Sequence, residues 1–109
     1  MDAFGALAEP RRRMIIELIA REGQLSASEI YRGFNITAQA VSQHLRILLE
    51  TKILRMEKRA QQHIYSLNPD FINEMEQWAR RLHAQWSESL DRLDMVLEEQ
   101  KKVLNRVEK

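Results

Sequence analysis

The 109-residue sequence predicts a mainly α fold in which two helices joined by a short turn precede a β-hairpin and are flanked by N- and C-terminal helices. Three observations carry this. Apolar residues recur at intervals of three or four through most of the chain, the signature of amphipathic helices. "SASE" at Ser26 to Glu29 and Thr37 supply two closely spaced helix starts. Only residues 53–67, "ILRMEKRAQQHIYSL", alternate apolar and polar as strands do.

The first segment, residues 1–22, holds a short helix over residues 2–8 and a second opened by Pro10, whose missing N–H costs nothing in a first turn. Met14, Ile15, Leu18 and Ile19 form its apolar face, and Gly23 ends it. Residues 26–51 hold the paired helices. Ser26 and Glu29 form a capping box, the helix ends near Phe34, and Asn35 suits the left-handed backbone that a tight turn needs. From Thr37 to about Glu50, Val41, Leu45 and Leu48 stack on one side, while Gln39, Ser42, Arg46 and Glu50 fall opposite with Gln43 beside them. This is a helix-turn-helix pattern.

Residues 53–67 form two antiparallel strands with a polar tip at Ala60-Gln61, and Arg55, Lys58, Arg59 and His63 cluster there. Residues 69–105 follow an Asn68 cap with Pro69 in the first turn and contain no further Gly or Pro. Phe71, Met75, Trp78, Leu82, Trp86, Leu90, Leu93 and Leu97 make one apolar stripe. As one helix it spans roughly 54 Å, against a radius of gyration of about 13 Å for a 100-residue globule. It either breaks into two helices or projects, and in both cases the stripe calls for a second chain.

The totals narrow the classes further. The length fits one domain over residues 1–109, and no apolar window is long enough to cross a bilayer. Glu17 interrupts the apolar run after the "RRR" cluster, so no export signal is expected and the expected location is cytoplasmic. With no cysteine, disulfides and thiolate metal sites are excluded. The net charge of +1 hides a division: residues 1–67 hold ten Lys/Arg against seven Asp/Glu, residues 68–109 seven against nine. The two halves are expected to meet different partners.

The polar row on the second helix suits base readout in a major groove, since Gln pairs donor with acceptor for adenine, Arg binds guanine twice, and Ser adapts to either. The plainer alternative is a solvated outside; neutral amides where Lys and Glu would be ordinary, and the basic hairpin that follows, favour the first. For the hairpin, phosphate contact and simple solvation with Glu57 pairing locally both stand. The tryptophan and leucine ladder suits packing better than a ligand pocket. His44, His63 and His83 lie 19 and 20 residues apart without a second histidine at helical spacing, so no metal site and no cofactor is expected. No nucleophile triad, phosphate loop or carboxylate pair in a cleft is present, which argues against an enzyme.

In order and spacing, "ALAEPRRRMIIELI", "LSASEI", "TAQAVSQHLRILLETKIL" and "HIYSLNP" resemble the winged-helix transcriptional repressors of the ArsR/SmtB family, over about residues 3 to 99. The tail resembles a subgroup without metal-sensing cysteines. The resemblance implies a winged helix-turn-helix with a two-stranded β-hairpin wing, and N- and C-terminal dimerisation helices. It implies a homodimer on double-stranded DNA, repressing from a palindromic operator. It puts DNA recognition on Thr37, Gln39, Ser42, Gln43, His44 and Arg46 and the wing on Lys58, Arg59, Gln62 and His63. The dimer interface falls on Phe4 and Leu7 of the first helix together with the C-terminal stripe. Three departures stand out. The stretch "LSASEIYRGF" has no cysteine where the family's thiolate motif falls, the last helix keeps only His83 of the zinc sensors' ligands, and Lys52 replaces the glycine that commonly ends the recognition helix. The tip "RAQQ" also lacks the usual glycine. The rival reading is a protein-interaction module or a ligand- or metal-responsive sensor using the C-terminal helix; the sequence names no small-molecule effector.

Overall fold

Every helix begins on a side chain that accepts an otherwise unpaired backbone N–H. In the computed structural model, which describes residues 1–107, helix α1 (Ala3–Leu7) starts on Asp2, whose Oδ1 accepts from the Gly5 N–H at 2.8 Å. Helix α2 (Pro10–Glu22) starts on Glu9, which accepts from the Arg12 N–H at 3.0 Å, and places Pro10 in its first turn. Gly23 closes it with φ 87°, a left-handed conformation that glycine adopts without strain. Strand β1 (Gln24–Ser26) leads directly into α3 (Ala27–Arg32), where the capping box forms: Ser26 Oγ accepts from the Glu29 N–H at 3.2 Å and the Ser26 N–H donates to Glu29 Oε1 at 3.1 Å. Thr37 caps α4 (Ala38–Glu50), accepting from the Ala40 N–H at 3.1 Å. Strands β2 (Leu54–Arg59) and β3 (Gln62–Leu67) follow, and Asn68 caps α5 (Pro69–Val107) through the Asp70 N–H at 3.1 Å.

The hairpin is part of a three-stranded antiparallel sheet in the order β1-β3-β2, with Leu25 opposite Tyr65 and Tyr65 opposite Met56. Sequence pattern alone yields two strands. Three residues are too few for a period-2 signal, and Ser26 serves both as the last strand residue and as the cap of α3. The turn before α4 also departs from expectation. Asn35 is not left-handed; among the described residues the positive-φ positions other than glycine are Lys52 and Ala60. Helix α3 stops at Arg32 with Gly33 as its cap, earlier than the expected Phe34.

By contacts the chain divides into two units, Met1–Ile72 and the remainder from Asn73. The first is organised around Ile15 and Ile19 of α2, Ile30 of α3, Val41 and Leu48 of α4, and Ile53, all fully buried. Ala6, Leu25, Leu45, Leu54, Tyr65 and Phe71 complete this core. Burying side chains of this size contributes about 1.5–3 kcal/mol each. Met14, expected on the buried face of α2, is 52% exposed, so that face narrows to Ile15 and Ile19 with Ile16 and Leu18 at its margins. Among the described residues, Arg12 is the one charged side chain that is buried; Ser26 is the other buried polar residue. Arg12 satisfies its guanidinium on α1. It is buried with its Nε donating to the Ala6 carbonyl at 2.7 Å and its Nη2 to the Gly5 carbonyl at 3.4 Å, while Arg13 donates to the Leu7 carbonyl. The two guanidinium groups thereby satisfy the carbonyl end of α1, whose dipole favours cations.

The second unit is helical throughout its described residues and belongs to α5, which is one unbroken helix of 39 residues, about 58 Å long. No helix among the described residues is long and apolar enough to cross a membrane.

Helix α4 ends in a Schellman motif: the Ile53 N–H donates to the Leu48 carbonyl at 3.0 Å and the Lys52 N–H to the Leu49 carbonyl at 3.1 Å. Lys52 occupies the left-handed position with φ 62°, and Asn68 Nδ2 donates to its carbonyl at 2.9 Å. A side chain there costs about 1 kcal/mol relative to glycine. Lys52→Gly is therefore expected to stabilise the chain by about 0.5–1 kcal/mol in urea unfolding with an unchanged slope; a loss of stability would show that the lysine side chain contributes more than its backbone strain. Glu29 gives a pH prediction. The Ser26 N–H and hydroxyl hydrogen bonds hold its carboxyl below the usual carboxylate range. Its contribution is complete above the pKa of the unfolded chain and is lost as pH falls through the lower folded value, so Glu29→Gln flattens the acid limb of a stability–pH curve.

Candidate nucleic-acid interface

Helix α4 is rotated by its own burial. Val41, Leu45 and Leu48 lie at 0%, 2% and 0% exposure, and this anchoring turns Gln39, Ser42, Gln43, Arg46 and Glu50 to solvent. Thr37, Gln39, Ser42, Gln43 and Arg46, with Ala40, line one shallow concavity of about 590 Å³. Five of the six residues expected on the recognition helix are thus gathered on one surface. Neutral hydrogen-bonding groups dominate it, and its single cation is Arg46. The Arg46 Nε donates to Glu50 Oε1 at 3.1 Å, an exposed pair one turn apart on the helix. Such a pair is worth well under about 1 kcal/mol, so a better acceptor easily displaces it.

His44 does not join that row. Its side chain is 14% exposed, with Nε2 at 4.0 Å from Glu9 Oε2 and Nδ1 buried without a hydrogen-bond partner. At 100° per residue it sits between the buried face and the Gln43 edge, and α2 begins against it. Partial burial pushes the Glu9 carboxyl up, but the Arg12 and Arg11 N–H groups and the facing His44 outweigh this and leave it below the usual range. The structure therefore gives His44 a place between helices rather than on the outward surface.

The hairpin divides its basic residues between two faces. Lys58 pairs with His63 and Arg59 with Gln62 in the β2–β3 register, and successive residues point to opposite sides of a sheet. Lys58 and His63 therefore share the face whose base is buried at Leu54 and Tyr65, and Arg59 and Gln62 share the other. Arg59 Nη2 donates to Glu57 Oε2 at 3.0 Å and reaches Gln24 Oε1 of β1 at 3.4 Å. All four residues are exposed, and Gln62 and His63 border a recess of about 260 Å³ with Ser28 and Tyr31. Sequence pattern does not place Gln24 beside the hairpin, because its contact with Arg59 depends on the third strand. The tip turns through Ala60 with φ 54°, the left-handed step that glycine would ordinarily supply.

The residues expected at a chain–chain interface separate likewise. Phe71 is 7% exposed and belongs to the core of the first unit, a correction to its expected place on an interface. Phe4 is 49% exposed on α1, and Leu7 is half-buried. On α5, Met75 is half-buried, while Trp78, Leu82, Trp86, Leu90, Leu93 and Leu97 are exposed. Among the described residues, no three His, Asp or Glu side chains gather as a metal-ligand group.

Comparison with known proteins agrees with this geometry. Residues 7–57 match a family described as a helix-turn-helix domain. The transcriptional repressor SdpR of Bacillus subtilis (strain 168) is 31% identical over 77 residues, covering 71% of this chain and 84% of its own length. The arsenic resistance transcriptional regulator ArsR2 of Pseudomonas putida is 30% identical over 88 residues, covering 78% and 76%. In fold, the chain is similar to an ArsR-like transcriptional regulator from Rhodococcus sp. RHA1, with a TM-score of 0.74 over 85% of this chain and 87% of that one at 22% identity. A recognition-type helix with a solvent-facing row of amides, a basic hairpin beside it and these relatives lead to one conclusion: the chain belongs to the ArsR/SmtB family of winged-helix proteins and is a DNA-binding transcriptional regulator.

Proposed function

We propose that the chain acts as a homodimeric, sequence-specific repressor without catalytic activity, reading a palindromic operator through α4 and holding phosphates with its hairpin. The observation that carries this is the outward row of Gln39, Ser42, Gln43 and Arg46 on a helix whose opposite side is locked into the core. Gln and Arg side chains in such a row match the edges of adenine and guanine in the major groove, and Ser42 accepts from or donates to either. Thr37 stands at the N-terminal end of α4, where backbone N–H groups and the helix dipole favour a phosphate. Lys58, Arg59, Gln62 and His63 supply contacts that position the protein without reading sequence.

The homodimer is supported by the exposed apolar stripe of α5, since contiguous apolar surface of this extent marks an interaction site. Two recognition helices related by a two-fold axis read half-sites about 34 Å apart, one turn of duplex, which makes the operator an imperfect palindrome. Repression then follows from occupancy of a promoter, for which the DNA upstream of the chain's own gene is the first candidate. The names of the two curated relatives, a repressor and a resistance regulator, support the same reading.

Gel-shift titration of that upstream DNA against a random competitor tests the proposal; equal affinity for both at moderate salt would overturn it. Three substitutions divide the roles. Arg46→Ala is expected to cost about 1–3 kcal/mol on the operator and to relax preference at one base pair. Arg59→Ala is expected to weaken binding to all sequences and to reduce the salt slope by about one unit. His44→Ala is expected to lower folding stability by about 1–2 kcal/mol while leaving base preference unchanged; altered preference at a defined base pair would return His44 to the reading surface.

A further inference from the structure

Besides the outward row of α4, the first unit holds a second polar hollow, the recess of about 260 Å³ between the start of α3 and the tip of the hairpin. Strand pairing explains why it exists. Ser26 stands opposite Ile64, so β3 and the tip run on past the end of β1 and overhang the first turns of α3. Helix α3 contributes Ser28 and Tyr31 to the recess, and the hairpin contributes Gln62 and His63. His63 and Tyr65 share one face of β3, and burial, with Tyr31 nearby, pushes the Tyr65 phenol up. Tyr31 therefore lies under the same face that carries His63.

The chemistry of the recess is one-sided. Ser28, Tyr31, Gln62 and His63 each offer an O–H or N–H, and no carboxylate lines it. Glu29 turns its Oε1 to the Ser26 N–H in the capping box, and Glu57 lies on the other face of the hairpin, bonded to Arg59. Lys58, opposite His63 on the same face, adds a positive charge nearby. Among the described residues, the Tyr31 hydroxyl, the Gln62 amide and the His63 ring make no hydrogen bond within the protein. Ser28 Oγ lies 3.3 Å from Oγ of the buried Ser26, which already accepts the Glu29 N–H; Ser26 therefore donates to Ser28 and leaves the Ser28 proton for an outside acceptor. Donors gathered without an acceptor of their own suit an anion. The volume falls below the roughly 300–1,000 Å³ of clefts that enclose small molecules, which favours one group of a larger partner. We propose that the recess seats a phosphate of the DNA backbone, with Ser28 and Tyr31 as positioning residues, so that α3 touches duplex together with α4 and the hairpin. A free inorganic anion would meet the same donors. Duplex is favoured because Gln62 and His63 already stand on the hairpin surface assigned to phosphates, and α3 leads from the recess to the turn before Thr37.

This inference rests on the hairpin's phosphate contacts proposed above, and the test separates the two. Tyr31→Phe and Ser28→Ala each remove one hydroxyl, and each variant is compared with wild type at a temperature where circular dichroism shows both fully folded. Each is expected to bind the upstream duplex and a random duplex about tenfold more weakly, with base preference unchanged. The salt slope is also expected to stay at the wild-type value, because a neutral hydroxyl releases no counterion, whereas Arg59→Ala flattens it. A duplex carrying one uncharged methylphosphonate linkage, walked along the bound site, locates the phosphate. At one position in each half-site wild type is expected to weaken about tenfold, and Tyr31→Phe to weaken no further than it already has. Variants that bind every duplex as wild type does, or whose losses add to that of every methylphosphonate position, remove the recess and leave the α4 surface standing. Saturation by inorganic phosphate below millimolar concentration, read from the His63 ring signals, would assign the recess to a free anion and overturn the proposal. A wild-type chain that binds no duplex removes the recess and the DNA interface together.

Discussion

Burial of Val41, Leu45 and Leu48 is the constraint on which the rest of the molecule depends. Helical geometry leaves one degree of freedom once α4 exists, its rotation about its own axis, and three large side chains at zero or near-zero exposure remove it. A shift of one residue would swing the helix by about 100°, drive Ser42 and Arg46 toward the core, and bring out apolar surface worth several kcal/mol. The outward amide row is thus the other side of the hydrophobic core. Its precision comes from packing density rather than from any hydrogen bond of its own.

Local chemistry at the helix ends then places the neighbouring elements. Side-chain caps at Asp2, Glu9, Ser26, Thr37 and Asn68 satisfy N–H groups that short helices could not leave unpaired. The Schellman turn through Lys52 aims the chain into β2, and the Asn68 bond to the Lys52 carbonyl ties the start of α5 to the same turn. Strand β1 serves two purposes: it ends in the cap of α3 and it carries Gln24, which accepts a hydrogen bond from Arg59 on the hairpin. The wing is therefore braced by the segment that opens the helix-turn-helix.

Much of this was legible in the sequence wherever a residue's role is local. The capping box at Ser26, the Thr37 and Asn68 caps, the limits of α4 and the hairpin turn at Ala60-Gln61 follow from short-range rules and stand in the structure. What local rules do not determine depends on partners distant in the chain. Strand β1 exists because β3 pairs with it, His44 turns inward because α2 begins there, and Phe71 is core because of the turn it takes at the start of α5. Arg12 belongs to the same class: a basic residue in a basic cluster reads as surface until α1 offers it carbonyls. The outward row on α4 was legible because both its faces are written within one helix. The division of the hairpin's basic residues between two faces needed the strand register.

The two units present different surfaces: the first a row of hydrogen-bonding groups of fixed direction along α4, the second an exposed apolar stripe along α5. NMR of the side-chain amide groups on titration with duplex DNA from upstream of the chain's own gene tests the outward row of α4 most directly. Large shifts are expected for the Gln39 and Gln43 NH₂ resonances, smaller ones for Gln62, and none for Gln77 and Gln85 of α5. Unmoved Gln39 and Gln43 signals in a complex that nonetheless forms would contradict the reading role of that row.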